Sequence, residues 1–332
     1  MKVLHLPLEV GNQVSELCRG INDYGETAIG FNWRPTHYLG YDKKLVQIDS
    51  YEMASHMELL IHHFDIFHYH TGYTIFEDKT DILHVLDAGK KVIMHHRGND
   101  VRIPEQALKM NPYVYTGDSQ PTEKIIQNLQ FFSKHISTAI VQDLELYDYV
   151  SDYYEKVYIL PRIIDTSRVK PIRKWRSKKK DLLVVHAPTS RRFKGTSQII
   201  AAVEMLQKEI PFQFRLLEQM SRQEIIDCFH EADIVIDQIL CGAYGNVSVE
   251  AMALGKPVIC YIRPDIEKRS EIPIPVASAH PEQLYYKLKL LLTEEPLRKR
   301  MGKMGRKYVE KVHDRRAVIP KLLKIYRELL DQ

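Results

Sequence analysis

Two short loops in the C-terminal half carry residue types and spacings that suit a nucleotide. In ADIVIDQILCGAYGNVSVEAMALGKPVICYI, Ala232 to Ile262, an apolar run bounded by acids leads to Gly242 and Gly245. Asn246 and Ser248 can then cap a helix that Gly255 and Pro257 bring to an end. A glycine loop opening a helix offers unpaired N–H groups and a positive dipole end, which suit a phosphate. Glu250, about one turn in, is poorly placed for phosphate but can accept hydrogen bonds from ribose hydroxyls. A plainer reading makes Gly245 a tight turn and Glu250 an exposed helix residue.

The second loop, TSRRFKGT, gathers Arg191, Arg192 and Lys194 ahead of Gly195. Cations between a strand end and a helix start can neutralise a diphosphate leaving group as its charge builds; a solvated basic loop is the alternative. In the N-terminal half, EVGNQ places Gly11, Asn12 and Gln13 between a first strand and a first helix, again a phosphate or hydroxyl cradle or else a plain turn. It lacks G-x-G-x-x-G, so no nicotinamide site is read there.

Histidines recur between His62 and His96, with His68 and His70 on one face of FDIFHYH because strand side chains alternate. Zinc is the weaker explanation, since no carboxylate or cysteine is spaced with them as in known zinc motifs. The simpler expectation places the histidines with Arg97, Asp100 and Arg102 at the carboxyl ends of neighbouring strands, around a cleft. There a histidine can hydrogen-bond sugar hydroxyls and Arg102 can pair with an anion; an Asp100 to Arg102 pair that merely closes the loop is the competing view. Tyr113 and Tyr115, in an aperiodic excursion from Pro104 to Gln120, can stack on a sugar ring or simply pack.

The elements that must position these groups alternate strand and helix: KVLHLPL, VSELCRGINDYG, FDIFHYH, TDILHVLDAGKK, VIMHHRGND, then DLLVVHAP, SQIIAAVEMLQKE and PVICYI. That alternation predicts an α/β protein with doubly wound parallel sheets. A chain of 332 residues favours two domains. The expected division is 1–168 and 169–314, with the helix 315–332 packing back on the first domain and the basic stretch KPIRKWRSKKKD as linker. RPDIEKRSEIPIPVAS reads as a surface loop. No apolar run approaches the ~20 residues that span a bilayer. The scattered Cys18, Cys228, Cys241 and Cys260 suggest a reduced, cytoplasmic protein. A net charge of +4 does not argue for nucleic acid. The basic faces of the last helices suit solvent or, as a second expectation, peripheral docking on the inner face of a membrane.

GNVSVEAMALGKPVI resembles the donor-nucleotide signature of retaining GT-B glycosyltransferases of family 4 (glycosyl transferases group 1), E-G-F-G-x4-E-A-M-A-x-G-x-P-V-I. Glu250 matches the second glutamate of its E-x7-E motif and Gly245 its second glycine, while Gly242 stands where the first glutamate contacts the donor sugar. HHRGNDVR resembles the H-x-x-G-x-D-x-R segment, which makes His95 or His96 the histidine nearest the chemistry. FKG with Arg191, or Arg192, is similar to the R-x(2-4)-K-G element.

The resemblance implies two Rossmann-like domains facing a cleft and a UDP- or GDP-type sugar donor, with no further cofactor. The donor would be held by Arg192, Gly195, Leu217 or Glu218, Gly242, Gly245, Asn246, Val247 and Glu250. Lys194 and Arg191 would stabilise the leaving diphosphate. The acceptor, a sugar, lipid-linked or other glycan, would lie against Gly11, Asn12, Gln13, His70, Asp100 and Arg102. Hexosyl or N-acetylhexosaminyl transfer with retention, in bacterial-type glycan synthesis, is the expected activity. A nucleotide-binding relative without activity, or an epimerase or hydrolase on the same fold, is the alternative. The absence of a D-x-D triplet suggests no obligatory metal.

Overall fold

Runs such as VLHL, IFHYH and LLVVH are too uniformly apolar for a half-solvated sheet and must be covered on both faces. The computed structural model describes residues 1–33, 45–171 and 181–332, and these runs form the centres of two all-parallel sheets. The first contains β1 (Lys2–Leu6), β2 (Thr27–Asn32), β3 (Val46–Gln47), β4 (Ile66–His70), β5 (Lys91–His95), β6 (Thr138–Val141) and β7 (Lys156–Ile159), in the order β3-β2-β1-β4-β5-β6-β7. The second contains β8 (Leu182–His186), β9 (Phe212–Leu216), β10 (Ile234–Ile236) and β11 (Val258–Ile259), in the order β11-β10-β8-β9. Strand order reverses between β1 and β4 and again between β8 and β10. Crevices at such reversals, outside the carboxyl ends, are where open sheets place ligands.

Each sheet has one apolar cluster per face, as double winding requires. On one face of the first sheet, Val3, Ile66, Ile93 and Ile140 meet Val14 and Leu17 of the helix Gln13–Asp23 and Val318, Ile319 and Leu322 of the helix Arg315–Leu330. The last helix therefore belongs structurally to the first sheet, although it follows the second in sequence. Along that same face, nearer the carboxyl ends, side-chain alternation brings His5, His68, His70 and His95 into the continuation of the apolar stripe.

Of the expected linker, residues 170–181, all but its ends lies at 172–180, outside the described residues. RPDIEKRSEIPIPVAS, read as loop, contains the short helix Pro264–Arg269: proline at its first turn and acidic Asp265 and Glu267 there are good helix starters. The excursion after β5 also differs from a free loop. Its helix Pro104–Met110 leads to Asn111, whose Nδ2 donates to the Leu240 carbonyl at 2.7 Å, and Tyr113 stacks on His280 with ring centroids 4.6 Å apart. The tyrosine thus packs against the second domain.

Candidate functional site between the two sheets

A cavity of about 700 Å³ lies between the carboxyl ends of the two sheets. One wall comes from the loops after β1, β4, β5 and β6, including Glu9, Gln13, Thr71, Arg97, Asp100, Arg102 and Gln142. The other comes from the loops after β8 and β10, including Ser190, Lys194, Gln238, Gly245, Asn246 and Val247. Both strand-order reversals open onto it.

On the second wall Lys194 is buried, and its Nζ donates to Asp237 Oδ1 at 2.6 Å. Asp237 ends the apolar strand β10, and its Oδ2 accepts from Gly245 N at 2.9 Å, Ser248 N at 3.1 Å and Ser248 Oγ at 2.6 Å. Burial by itself would raise the Asp237 carboxyl, but Lys194 and these donors outweigh it and hold it below its ordinary value. The chain's own carboxylate therefore occupies part of the helix start that the sequence offered to a phosphate. The N–H groups of Asn246 and Val247, in the first turn of the helix Asn246–Ala253, have no partner among the described residues, and both residues line the cavity.

The rest of the donor-side expectation divides. Gly195 ends the helix Arg191–Lys194 in a left-handed conformation (φ 78°), turning Lys194 inward. Arg191 points outward and forms a bidentate pair with Glu218, and Arg192 reaches Tyr115 Oη at 3.3 Å; neither lines the cavity. Helical spacing leaves Arg191 and Lys194, three positions apart, on neighbouring faces; it is the carboxylates of Glu218 on one side and Asp237 on the other that hold them apart. Leu217 lies in the apolar core behind the sheet. Glu250 pairs with Arg222 at 3.0 Å and lines a small crevice that shares Gln13 and Asn246 with the main cavity. Gly242 has φ 85°, and a Cβ there would lie 2.6 Å from Arg263 Cγ; it does not line the cavity. A glutamate at that position would need both a strained backbone and a displaced arginine.

On the first wall the expected cradle at EVGNQ is filled from within. Glu9 accepts from Val10, Val14 and Ser15 N at 2.7, 3.0 and 2.9 Å, taking the donors at the start of the first helix. Burial raises its carboxyl against the pull of these bonds. Gln13 spends both ends of its amide on the backbone of Ile163. Asn12 is left-handed (φ 61°) and buried beside the crevice. Gly11 (φ 58°) approaches the second domain so closely that a Cβ would stand 2.4 Å from Asn246 Nδ2. The two nucleotide-like loops thus meet across the cleft.

Neither histidine expected next to the chemistry faces the cavity. His96 uses both ring nitrogens, with Asp100 Oδ2 at 2.8 Å and Tyr154 Oη at 2.7 Å, and so fixes its own loop. His95 is buried in the histidine stripe, with Nδ1 3.2 Å from His68 Nε2. His70 is sealed in the same stripe, its Nε2 3.0 Å from His5 Nδ1. Nitrogens of His5, His68 and His70 come within 4.8 Å of one another, but the rings stack at 4.4 to 5.3 Å and bond to each other or to Tyr326. Burial drives His5 down to about 3 and the other three well below the usual histidine range, so the four imidazoles are neutral at pH 7.

Arg102 lines the cavity but is bidentate to Glu145 at 2.8 and 2.7 Å, not to Asp100. Asp100 accepts from His96 and from the N–H groups of Arg97 and Gly98. Sequence reasoning missed the partners of these cations: Glu145, Asp143 with Arg162 at 2.9 Å, and Asp237. A lone acid closing an apolar strand, as in IVID, was the one available signal for Asp237.

The family model for Glycosyl transferases group 1 matches residues 201–308, within the part of the chain that builds the second wall. Sucrose-phosphate synthase from Thermosynechococcus elongatus superposes with a TM-score of 0.69 at 12% identity, covering 100% of both chains. A glycosyltransferase from Rickettsia africae ESF-5 gives 0.70 at 14% identity, over 99% of this chain and 98% of that one. Anabaena HepE in complex with UDP and glucose gives 0.67 at 12% identity, over 99% and 100%. At these identities the likeness establishes the fold, which is GT-B: two Rossmann-like domains across a cleft. No curated protein sequence matches the chain. Among the described residues, no helix is long and apolar enough to cross a membrane.

Proposed function

We propose that the protein transfers a hexosyl or N-acetylhexosaminyl group, with retention, from a UDP- or GDP-type sugar to a glycan, sugar or lipid-linked acceptor bound in the cavity. One observation carries the reading: Lys194 and the helix start at Asn246 and Val247, whose N–H groups have no partner among the described residues, line the same wall of that cavity. A fixed cation beside the start of a helix favours a phosphate ester and stabilises it further as it leaves. Asp237 holds the ammonium in place, so little reorganisation accompanies the charge that develops. On this reading Glu250 meets the ribose from the adjoining crevice after releasing Arg222. The leaving phosphate itself takes the acceptor proton, so no side-chain base is required. UDP in the HepE complex and the family match over 201–308 support a nucleotide donor.

Calorimetry with UDP, GDP and other nucleoside diphosphates tests the donor half. Asn246→Pro removes one N–H at a helix position that tolerates proline and should weaken the preferred nucleotide by roughly 10- to 100-fold, whereas Asn246→Ala should not. No binding of any nucleoside diphosphate by the unaltered protein would end the reading. A second reading, nucleotide binding without transfer, is favoured by Gly242 in place of the sugar-contacting glutamate. A turnover assay with and without added acceptor sugars separates the two, and release of free sugar without acceptor would indicate hydrolysis instead.

A further inference from the structure

Among the described residues four basic side chains line the cavity, and three of them are neutralised by the chain itself: Arg102 by Glu145, Arg162 by Asp143 and Lys194 by Asp237. Arg97 is the fourth. Among the described residues no carboxylate lies within ion-pair reach of its guanidinium, and its Nε is enclosed without a partner. Glu9 and Asp100 offset part of its charge through space but do not pair with it: the Glu9 carboxylate is bonded to three backbone N–H groups and Asp100 to His96 and two more. Among the described residues, the guanidinium's one side-chain hydrogen bond is Nη2 to His70 Nδ1 at 3.4 Å.

That contact fixes the direction of a whole chain of hydrogen bonds. Arginine can only donate, so His70 Nδ1 accepts and the His70 proton sits on Nε2. His70 Nε2 then donates to His5 Nδ1 at 3.0 Å, and His5 Nε2 donates to Tyr326 Oη at 3.3 Å. The Tyr326 hydroxyl donates to His68 Nδ1 at 2.6 Å, and His68 Nε2 donates to His95 Nδ1 at 3.2 Å. The last proton, on His95 Nε2, is a buried donor without a partner. One tautomer, neutral with the proton on Nε2, gives every link one donor and one acceptor. The stripe therefore holds Arg97 through a neutral acceptor where a carboxylate would ordinarily stand, and leaves its guanidinium without a directly paired anion beside the cavity.

We infer that Arg97 is the docking point for an oxyanion carried by the acceptor, a phosphate or carboxylate group, and that His70, His5, Tyr326, His68 and His95 are positioning residues which hold the guanidinium without cancelling its charge. The side of the cleft supports the acceptor as the source, because Arg97 belongs to the first wall and the proposed phosphate site to the second. Gln120 adds a matching polar group: it lines the same cavity, and its Oε1 is a buried acceptor without a partner, suited to a hydroxyl of the same ligand. The assignment of the anion to an acceptor rests on the sugar-transfer reading; the unpaired guanidinium does not.

The test titrates the full-length protein, with and without saturating nucleoside diphosphate, with inorganic phosphate, with glucuronate, and with glucose as the neutral control. The unaltered protein should bind at least one of the two anions and should bind it more tightly than glucose. Arg97→Gln should lose on the order of tenfold or more of that affinity, a larger factor than it loses for the nucleotide, and Arg97→Lys should retain part of it. His70→Leu, with Arg97 intact, should also weaken the anion. Phosphate or glucuronate as the better ligand identifies the oxyanion. Equal loss of nucleotide and anion in Arg97→Gln would place Arg97 on the donor diphosphate and overturn the assignment, as would anion binding no tighter than glucose. Failure to bind any nucleotide while Arg97-dependent anion binding persists would sink the sugar-transfer reading and leave the anion site standing. Nitrogen-15 imidazole shifts of the unaltered protein read the chain without any variant: His5, His68, His70 and His95 should all be neutral Nε2–H tautomers at pH 7. A proton on His70 Nδ1, or a charged ring in the stripe, would overturn the positioning role.

Discussion

The two walls of the cleft solve one problem in opposite ways. On the second wall a buried cation, Lys194, is matched by a buried anion, Asp237, at 2.6 Å. On the first, Arg97 rests on a chain of neutral imidazoles anchored by Tyr326 from the last helix. The difference has consequences for both stability and chemistry. An ion pair makes each partner indispensable, because removing one strands the other in low dielectric. A neutral network lets the cation keep its field, and its own vulnerability is to protons rather than to loss of a counter-charge.

Acid should expose that contrast most strongly. The histidines of the stripe bind protons less readily folded than unfolded, so the unfolded state takes up more protons as pH falls below 6.5, and stability drops with it. The slope is on the order of 1.4 kcal/mol per pH unit for each imidazole held neutral, and for His5 the window runs from 6.5 down to about 3. His186 and His313, both lowered to about 4 by burial, add to the global loss. The Asp237 carboxyl is lowered, so its contribution is complete above 3.8 and disappears only as pH falls through its still lower folded value. Amide exchange at pH 7 and pH 5 should therefore show β4 losing protection before β10. Equal behaviour of the two strands would erase the distinction.

Lys194→Met comes next in size. It leaves the buried Asp237 carboxylate without its counter-charge and should cost about 3–5 kcal/mol in chemical denaturation. Adding Asp237→Asn should restore much of that loss, and additive costs would mean that the pair is not coupled. Gly242→Glu recreates the acid of the E-x7-E pattern, but in a left-handed backbone against Arg263. It should lower stability by roughly 1–3 kcal/mol without raising turnover. A gain in transfer activity would mean that this loop rearranges around the donor. Arg191→Ala should be the mildest: its pair with Glu218 is largely exposed, and such pairs contribute little to stability. A large loss of nucleotide affinity in that variant would show that Arg191 turns inward on binding.

Much of this molecule is legible from local pattern. Apolar runs of strand length, separated by amphipathic helices that end at Gly25, Gly89 and Gly255, already specify parallel double winding, because each glycine takes the positive φ that stops its helix. The loops that reach the cavity were legible too, since glycine, asparagine and clustered cations mark them. Which way each side chain in those loops turns was not. Lys194 and Arg191 are three residues apart in one loop, yet one is buried on Asp237 and the other is exposed on Glu218, at the edge of β9.

Sequence alone determined the strand period, the helix stops and the residue chemistry available at each loop, because these depend on neighbours a few positions away. Tertiary structure alone decided which charges are cancelled. Glu145, Asp143, Asp237 and Tyr326 come from 43, 19, 43 and 258 residues away from the groups they hold. Only the packing of two sheets and a returning helix puts them there, and in the low dielectric between the domains that placement settles whether a cation serves the protein or its ligand.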